Sequence, residues 1–253
     1  MTERVALVTG GGRGIGRAIS LRLARDGFAV AVNYRRDAGA AEATCAAIAA
    51  AGGTARAFPA DVADREDCVR LADLVLADFG RLDALVCNAG IASRGNRVAD
   101  TDPDELDRVV RTLAYGPFWL CQRLLPALRE RERADIVLIS SVNAATAMPG
   151  GAPYMMGKVA LEALGATLAV EEMRHGIHTN IVAPGLVATD MGDRLARALT
   201  GVTSAAELDA RSPYGRVCRP EDVADVVGYL VSPAAGYLNG QRVAVDGGAP
   251  GLG

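Results

Sequence analysis

The first sixteen residues constrain the fold more than any other part of the chain. An apolar run, Val5-Ala-Leu-Val8, leads directly into Thr9-Gly-Gly-Gly-Arg-Gly-Ile-Gly16, and a helical pattern then continues to Ala24. This order predicts a buried strand, a glycine-rich turn and the start of a helix. A turn without side chains lets a pyrophosphate approach the backbone, where amides and the positive end of the helix dipole bind its charge. The residues predicted to contact it are Gly10, Gly12, Arg13, Gly14, Ile15 and Gly16.

Strand and helix patterns alternate along the rest of the chain. Apolar runs predict strands at 28–32, 54–58, 83–87, 136–140, 177–182 and 241–245, and helical periodicity predicts helices at 38–51, 64–79, 103–131, about 154–174 and 220–231. The short connections predict an α/β fold, with a doubly wound parallel sheet and helices on both faces. No linker or repeat interrupts the pattern, so residues 1–253 are expected to form a single domain. The mixed segment at about 190–213 is expected to form short helices over a substrate pocket.

The end of the second predicted strand indicates which dinucleotide would bind. At this point an acid that accepts from the ribose 2′-hydroxyl favours NAD, and an arginine accommodates the 2′-phosphate of NADP. The sequence here is Asn33-Tyr34-Arg35-Arg36, with no acid before Asp37. We therefore expect NADP, with Tyr34 lining the site and with Arg35 and Arg13 pairing with the phosphate, although NAD remains an alternative. The arginines could also be ordinary solvated surface.

Two further loops follow predicted strands. Asp61 and Val62 come after the third strand, where the Asp61 carboxylate could bond the adenine amine or could cap the next helix. Asn88, Ala89 and Gly90 follow the fourth strand, and small residues there suit a close approach of the backbone to a cofactor. Both loops are therefore candidates for dinucleotide contacts.

Residues 141–158 carry the candidate catalytic groups. Ser141 follows an apolar strand, Tyr154 comes thirteen residues later, and Lys158 is one helical turn beyond the tyrosine. Because positions i and i+4 share a helix face, the ammonium is expected beneath the phenol, where its charge would favour the phenolate and bring the tyrosine toward useful acid/base range. Lys158 is the only lysine in the chain. Arginine cannot replace a compact ammonium that must fit under a ring and lose protons.

Composition disfavours several other functions. The net charge is −3 with no basic run, which argues against a nucleic-acid partner. The five cysteines form no C-x-x-C motif, which indicates free thiols. The chain has two histidines and no clustered cysteines, so neither a metal site nor Ser/His/Asp hydrolysis is expected. No apolar stretch is long enough to cross a membrane and no signal peptide is recognisable, so a cytoplasmic protein without a membrane partner is expected.

Together these motifs resemble the short-chain dehydrogenase/reductase family, and most closely its 3-oxoacyl-[acyl-carrier-protein] reductases. The resemblance rests on 9–16, 88–90, Ser141, 154–158, Pro184-Gly185 and 245–248. It implies a seven-stranded Rossmann sheet, a small-molecule carbonyl or alcohol substrate and a homotetramer or homodimer formed through the long helix and the tyrosine helix. It also implies that Ser141 orients the carbonyl, Tyr154 is the acid/base and Lys158 binds the nicotinamide ribose. Thr189 and the Val187 backbone are implied to hold the nicotinamide carboxamide, and Pro184 and Gly185 are implied to be further cofactor contacts.

One position departs from the family pattern. The long helix usually carries an asparagine that keeps a main-chain carbonyl open for the water of a proton relay, and Leu113 stands there in this chain. Pro117, four residues later, has no N–H to donate to the Leu113 carbonyl. We therefore expect a kink and a water-accessible carbonyl in spite of the leucine. The hypothesis is an NADP(H)-dependent oxidoreductase, and the alternative is a catalytically impaired nucleotide-binding sensor or scaffold.

Overall fold

A computed structural model describes residues 3–212 and 214–248. Within them seven strands form one sheet, all parallel, in the order β3-β2-β1-β4-β5-β6-β7. The strands are β1 Arg4–Val8, β2 Phe28–Tyr34, β3 Ala55–Pro59, β4 Ala84–Cys87, β5 Ala134–Ile139, β6 Ile177–Pro184 and β7 Arg242–Val245. The predicted α/β class and the seven-stranded doubly wound sheet are confirmed. The single-domain organisation of residues 1–253 stays a prediction.

Eight α-helices connect these strands in the described part of the chain. They are α1 Gly14–Arg25, α2 Ala38–Ala50, α3 Arg65–Phe79, α4 Pro103–Val110, α5 Gly116–Leu128, α6 Ala152–Glu171, α7 Asp190–Thr200 and α8 Pro220–Leu230. Helix α6 ends three residues earlier than predicted, because the chain tightens into a 3-10 turn at Met173–His175 and then turns at Gly176, whose φ is 71°.

The sheet separates two hydrophobic layers. Successive strand side chains point to opposite faces. Val5 and Leu7 of β1 pack into one core, with α3, α5 and α6, whereas Ala6 and Val8 pack into the other, with α1, α2 and α8. Since both faces are covered, the inner strands contain continuous apolar runs, as at 5–8 in β1 and throughout β4, which is typical of a parallel sheet.

The long helix predicted at 103–131 is interrupted, which corrects the prediction of one continuous helix. Between α4 and α5 the residues Arg111–Tyr115 form a π-helical turn, in which the Gly116 N–H bonds to the Arg111 carbonyl. Pro117 supplies no donor to the preceding turn, which favours this irregularity. Gly116 also needs to lack a side chain, because a Cβ there would lie 2.2 Å from the Val62 carbonyl oxygen. The helix is therefore irregular at the place where a kink was predicted.

The segment predicted to cover a pocket forms α7 and a 3-10 helix at Ala205–Arg211. These two pieces share a small core of their own, made by Ala196, Ala205, Leu208 and Val217. The last residue of the predicted segment, Pro213, lies outside the described residues. No helix in the described ranges combines the length and the apolar character that a membrane crossing requires. No cluster of three or more His, Cys, Asp or Glu suited to a metal ion occurs in those same ranges.

Candidate active site

The loops that leave β1, β4, β5 and β6 meet at the carboxyl edge of the sheet. Between β1 and β4 the strand order reverses direction, and ligands of open α/β sheets bind in the crevice at such a point. The residues predicted for the site lie on these loops, on the loops after β2 and β3, in the first turns of α1 and α6, or, for Tyr34 and Pro184, at the last position of β2 and β6. The topology therefore brings together residues that are far apart in the sequence.

The glycine-rich turn has the geometry of an anion-binding loop. Gly14 has a φ of 52°, in the left-handed region that favours glycine, and a Cβ on Gly16 would lie 2.1 Å from the Gly10 carbonyl oxygen. Arg13 is the N-cap of α1 and makes no side-chain capping bond, and no acidic residue stands in the first turn. The first amides of α1 and its positive dipole end are therefore available to a phosphate. Ile15 packs its side chain against the core.

The polar side chains of Thr9, Asn33 and Asn88 hold this turn in place. Asn33 accepts from the Gly10 N–H at 3.2 Å. Asn88 donates to the Thr9 carbonyl at 2.8 Å, and the Thr9 hydroxyl accepts from the Asn88 and Ala89 N–H groups at 2.9 and 3.0 Å. These bonds join the loops after β1, β2 and β4. Asn88 was predicted as a cofactor contact, and the structure shows that it also supports the phosphate turn.

At the end of β2 the Arg35 guanidinium lies beside the Asp61 carboxylate, with Nη1 and Oδ2 3.6 Å apart. Asp61 also accepts from the Ala63 N–H at 3.0 Å, so it makes a turn before α3, and the N-cap of that helix is Asp64. Arg35 and Asp61 are each more than one-third exposed. Both side chains are thus open to a ligand at the adenosine end of the crevice, with Tyr34 half-buried beside them.

The three predicted catalytic side chains meet where β5 ends and α6 begins. The buried Ser141 hydroxyl accepts from the Asn143 N–H at 3.2 Å. Lys158 Nζ lies 5.7 Å from the centre of the Tyr154 ring and donates to the Ile139 carbonyl at 2.6 Å. The predicted i,i+4 pairing of tyrosine and lysine is therefore present, and the ammonium is additionally bound to the end of β5.

Burial determines the protonation of this group. Lys158 is 4% exposed. Desolvation lowers its pKa to about 8, against the opposing effects of Cys87 and Glu162. Desolvation also raises the pKa of Tyr154, while a hydrogen bond with the Ser141 side chain lowers it. The expected drop in the tyrosine pKa is not found here, because desolvation is the largest contribution and raises this pKa.

Leu113 fills the space behind the lysine. It is 1% exposed. A Cβ on Gly157 would lie 2.8 Å from the Leu113 Cβ, and a Cβ on Gly90 would lie 3.2 Å from the Leu113 Cδ2 and 4.0 Å from the Lys158 Nζ. The leucine therefore packs between two glycines, one from the β4 loop and one from α6, in direct proximity to the ammonium.

The loop after β6 closes the crevice on the side opposite β2. Gly185 follows Pro184 and donates its N–H to the Val245 carbonyl at 3.0 Å. Val187 pairs with Cys218 in an isolated parallel bridge, and Thr189 caps α7 by accepting from the Gly192 N–H at 3.1 Å. The Thr189 methyl carbon would lie 3.4 Å from a Cβ on Gly14. This loop therefore faces the glycine turn across the crevice.

Comparisons with known proteins agree with this arrangement. A family model described as Enoyl-(Acyl carrier protein) reductase matches residues 10–250. The chain is 37% identical to 3-oxoacyl-[acyl-carrier-protein] reductase FabG of Staphylococcus aureus over 96% of each sequence. It is 40% identical to versicolorin reductase of Emericella nidulans over 97% of this chain and 95% of that one. A crystal structure of a short-chain dehydrogenase from Burkholderia cenocepacia in complex with NADP superposes with a TM-score of 0.87, at 35% identity and 97% coverage of both chains.

The chain belongs to the short-chain dehydrogenase/reductase family. As a short-chain dehydrogenase/reductase it is an oxidoreductase, and the predicted resemblance is confirmed. The family motifs identified the serine, the tyrosine, the lysine and the glycine turn. They did not identify Asn33, Glu162 or Arg242, which contact the same loops from other elements. The spacing of Glu162, one helical turn after Lys158, was the one available signal.

Proposed function

We propose that the protein is an NADP(H)-dependent oxidoreductase that interconverts a carbonyl and a secondary alcohol. The observation that carries this proposal is the meeting of Ser141, Tyr154 and Lys158 beside an open glycine turn at the strand-order reversal. A phenol and a hydroxyl close together can protonate and orient one oxygen atom. A turn with free amides can bind a pyrophosphate close by.

In carbonyl reduction Ser141, Tyr154 and Lys158 would each have a separate role. The nicotinamide cofactor, when bound, supplies or accepts the hydride. Ser141 would donate a hydrogen bond to the substrate carbonyl, and the Tyr154 phenol would deliver the proton to the same oxygen. The Lys158 ammonium would hold the nicotinamide ribose and stabilise the phenolate that remains after proton transfer. In the oxidation direction Tyr154 would accept the alcohol proton as a phenolate.

The cofactor contacts follow from the loops of the crevice. The pyrophosphate would lie on Gly10, Gly12, Gly14 and Gly16, and the adenosine between the β2 loop and Asp61-Val62. The 2′-phosphate would pair with Arg35 and Arg13, so NADP is the proposed cofactor; the NADP in the Burkholderia relative supports this choice. Small residues at 88–90 and the loop with Pro184, Gly185, Val187 and Thr189 would enclose the nicotinamide.

The proposed substrates are a restricted set of carbonyl compounds. We propose a 3-oxoacyl thioester or a small ketone, because the relatives named above include a 3-oxoacyl-[acyl-carrier-protein] reductase and a reductase of versicolorin. The test is NADPH oxidation, followed by the loss of NADPH absorbance, with acetoacetyl thioesters and a panel of small ketones. Turnover with any of them supports the proposal. Cofactor binding without turnover on the whole panel would favour a nucleotide-binding sensor instead.

The family asparagine keeps a main-chain carbonyl open for the water of the proton relay. In this chain we propose that the π turn has that role. Pro117 leaves the Leu113 carbonyl without its usual helical donor, so we propose that a water binds this carbonyl within relay distance of Lys158. Leu113→Asn should then change turnover little, since the water site exists already. Pro117→Ala should lower turnover, because it restores an N–H that straightens the helix.

The measurement is kcat for both variants on one substrate, with melting temperatures as the control for folding. Intact turnover in Pro117→Ala, combined with a rise of about tenfold in Leu113→Asn, would contradict the proposal; such a rise is about 1.4 kcal/mol of barrier. In that case Leu113 would impair the site and the proline would not compensate for it.

Large apolar side chains are exposed on two helical elements that pack together. The π turn and α5 expose Tyr115 and Phe118, and α6 exposes Met156, Val159 and Val170, each more than two-fifths exposed. Exposed apolar patches of this kind mark protein–protein contacts. We therefore propose a homodimer through this face, extended to a homotetramer, and expect light scattering to give a mass of two or four chains. A monomer at micromolar concentration would contradict it.

A further inference from the structure

Three consecutive residues at the end of β5 are each held by a charged side chain. The Ile139 carbonyl accepts from Lys158 Nζ at 2.6 Å. The Ser140 hydroxyl donates to Glu162 Oε1 at 2.6 Å, and the Ser141 carbonyl accepts from Arg242 Nη2 at 3.0 Å. The backbone that carries the predicted catalytic serine is thus bound from α6 and from β7.

Glu162 and Arg242 also bind each other. Arg242 Nε donates to Glu162 Oε1 at 2.9 Å, and this oxygen is the one that accepts from Ser140. The Glu162 side chain is 21% exposed and that of Arg242 31%, so water competes only partly with these charge-assisted bonds. Arg242 lies in β7, which pairs with β6, and Glu162 lies one turn after Lys158 on α6. The pair therefore links the last strand of the sheet to the helix of the tyrosine and lysine.

We infer that Glu162 and Arg242 are positioning residues that fix the backbone of Ser140 and Ser141 at the end of β5. This inference rests on the proposed oxidoreductase function. Ser141 has to hold its hydroxyl at a set place relative to Tyr154, and a displacement of about 1 Å can reduce turnover by about 100-fold. Among the described residues, Arg242 is the one charged side chain that bonds to the Ser141 carbonyl. Without the pair, no charged group would hold this carbonyl.

Glu162 lies one helical turn after Lys158 and therefore also bears on the charge of that ammonium. The titratable groups that act on this ammonium are Cys87 at the end of β4 and Glu162 on its own helix, with the Tyr154 ring above it. Burial lowers the pKa of Lys158 to about 8, and the Glu162 carboxylate opposes this effect. Replacing Glu162 with a neutral residue should lower that pKa further. The lysine is a charged ammonium mainly below its pKa. As the pH is raised, the variant should therefore lose activity at a lower pH than the wild type does.

The experiment uses the fact that Lys158 is the only lysine in the chain. Protein labelled with [¹³Cε]lysine gives a single lysine signal from the native chain, so its titration needs no assignment. This titration would be recorded for wild type, Glu162→Gln and Arg242→Gln, together with kcat, KM and the NADPH Kd of each. Asp73→Asn is the control, since it removes a surface ion pair with Arg123 far from the site in sequence.

We expect Glu162→Gln to lower kcat by about tenfold or more while KM and the NADPH Kd change by less than about threefold. Its lysine signal should titrate at a lower pH than that of wild type. Arg242→Gln should lower kcat to a similar extent without lowering the lysine pKa, because it leaves the Glu162 carboxylate in place. The double variant should lose little more than either single variant, and Asp73→Asn should match wild type.

Two results would overturn the inference while the proposed function stands. One is wild-type turnover in Glu162→Gln with an unchanged lysine titration. The other is a parallel loss of kcat, NADPH affinity and melting temperature in both variants, which would mean that the pair only stabilises the fold. A wild-type protein that binds NADPH but turns over no substrate would instead refute the proposed function, and the positioning role with it.

Discussion

Tyr154→Phe is expected to lose the chemical step and keep the cofactor. The phenol is the proposed proton donor to the substrate oxygen, and general acid/base groups contribute about 10²–10⁴-fold to rate. The ring itself remains in phenylalanine, so its contact with the Lys158 ammonium and the packing at the start of α6 are retained. We therefore expect kcat to fall by about 10²–10⁴-fold, with the NADPH Kd within about threefold of wild type.

Single-turnover kinetics with pre-bound NADPH would measure this loss directly, since product release does not then limit the rate. Tyr237→Phe is the matched control, because it removes the same hydroxyl from a fully exposed tyrosine. That control should behave as wild type. A Tyr154→Phe variant whose rate stays within about threefold of wild type would refute the assignment of Tyr154 as the acid/base.

Arg35→Asp is expected to reverse the preference between the two dinucleotides. In the structure the Arg35 guanidinium is partly exposed and, among the described residues, its one ion-pair partner is Asp61, at 3.6 Å, so it can turn to a 2′-phosphate. Hydrogen bonds to charged groups contribute about 1.5–3 kcal/mol each. Losing the arginine should therefore weaken NADPH by roughly tenfold to a hundredfold, and the new carboxylate beside Asp61 should repel the phosphate further.

The new aspartate could also accept from the free ribose hydroxyl of NADH, so NADH affinity should rise or stay constant. Titration of both cofactors by fluorescence would measure the two Kd values. Arg36→Asp, one residue along, changes the net charge equally and is the control for a general electrostatic effect. If the wild-type protein bound NADH more tightly than NADPH, the interpretation of the β2 loop would be wrong.

The fold was accessible from the sequence because its determinants are local. Each strand is a short apolar run, each helix has its own periodicity, and the glycine turn joins the first of each. Because strands and helices alternate with short connections between them, the sequence favours a parallel doubly wound sheet. The carboxyl ends of parallel strands lie on one edge of the sheet, so the loops that carry Asn88 after β4 and Ser141 after β5 leave from neighbouring strands at that edge.

The details that were missed depend on contacts between distant parts of the chain. Arg242 reaches Glu162 and Ser141 across 80 and 101 positions, and no local pattern indicates such a pairing. The π turn depends on Pro117 and also on the close approach of Gly116 to the Val62 carbonyl, which only the packed structure shows. The tyrosine pKa was misjudged for a similar reason, because the spacing of Tyr154 and Lys158 reveals their proximity but not their desolvation.

Hydride transfer itself can be followed with NADPH that carries deuterium at C4 of the nicotinamide, prepared separately in each of its two configurations. The label would be traced by mass spectrometry and NMR into the alcohol formed from any ketone or 3-oxoacyl thioester that turns over. We expect deuterium at the former carbonyl carbon from one of the two configurations only, because a fixed crevice presents one face of the nicotinamide ring to the substrate. Oxidation of NADPH with neither label reaching that carbon would contradict it.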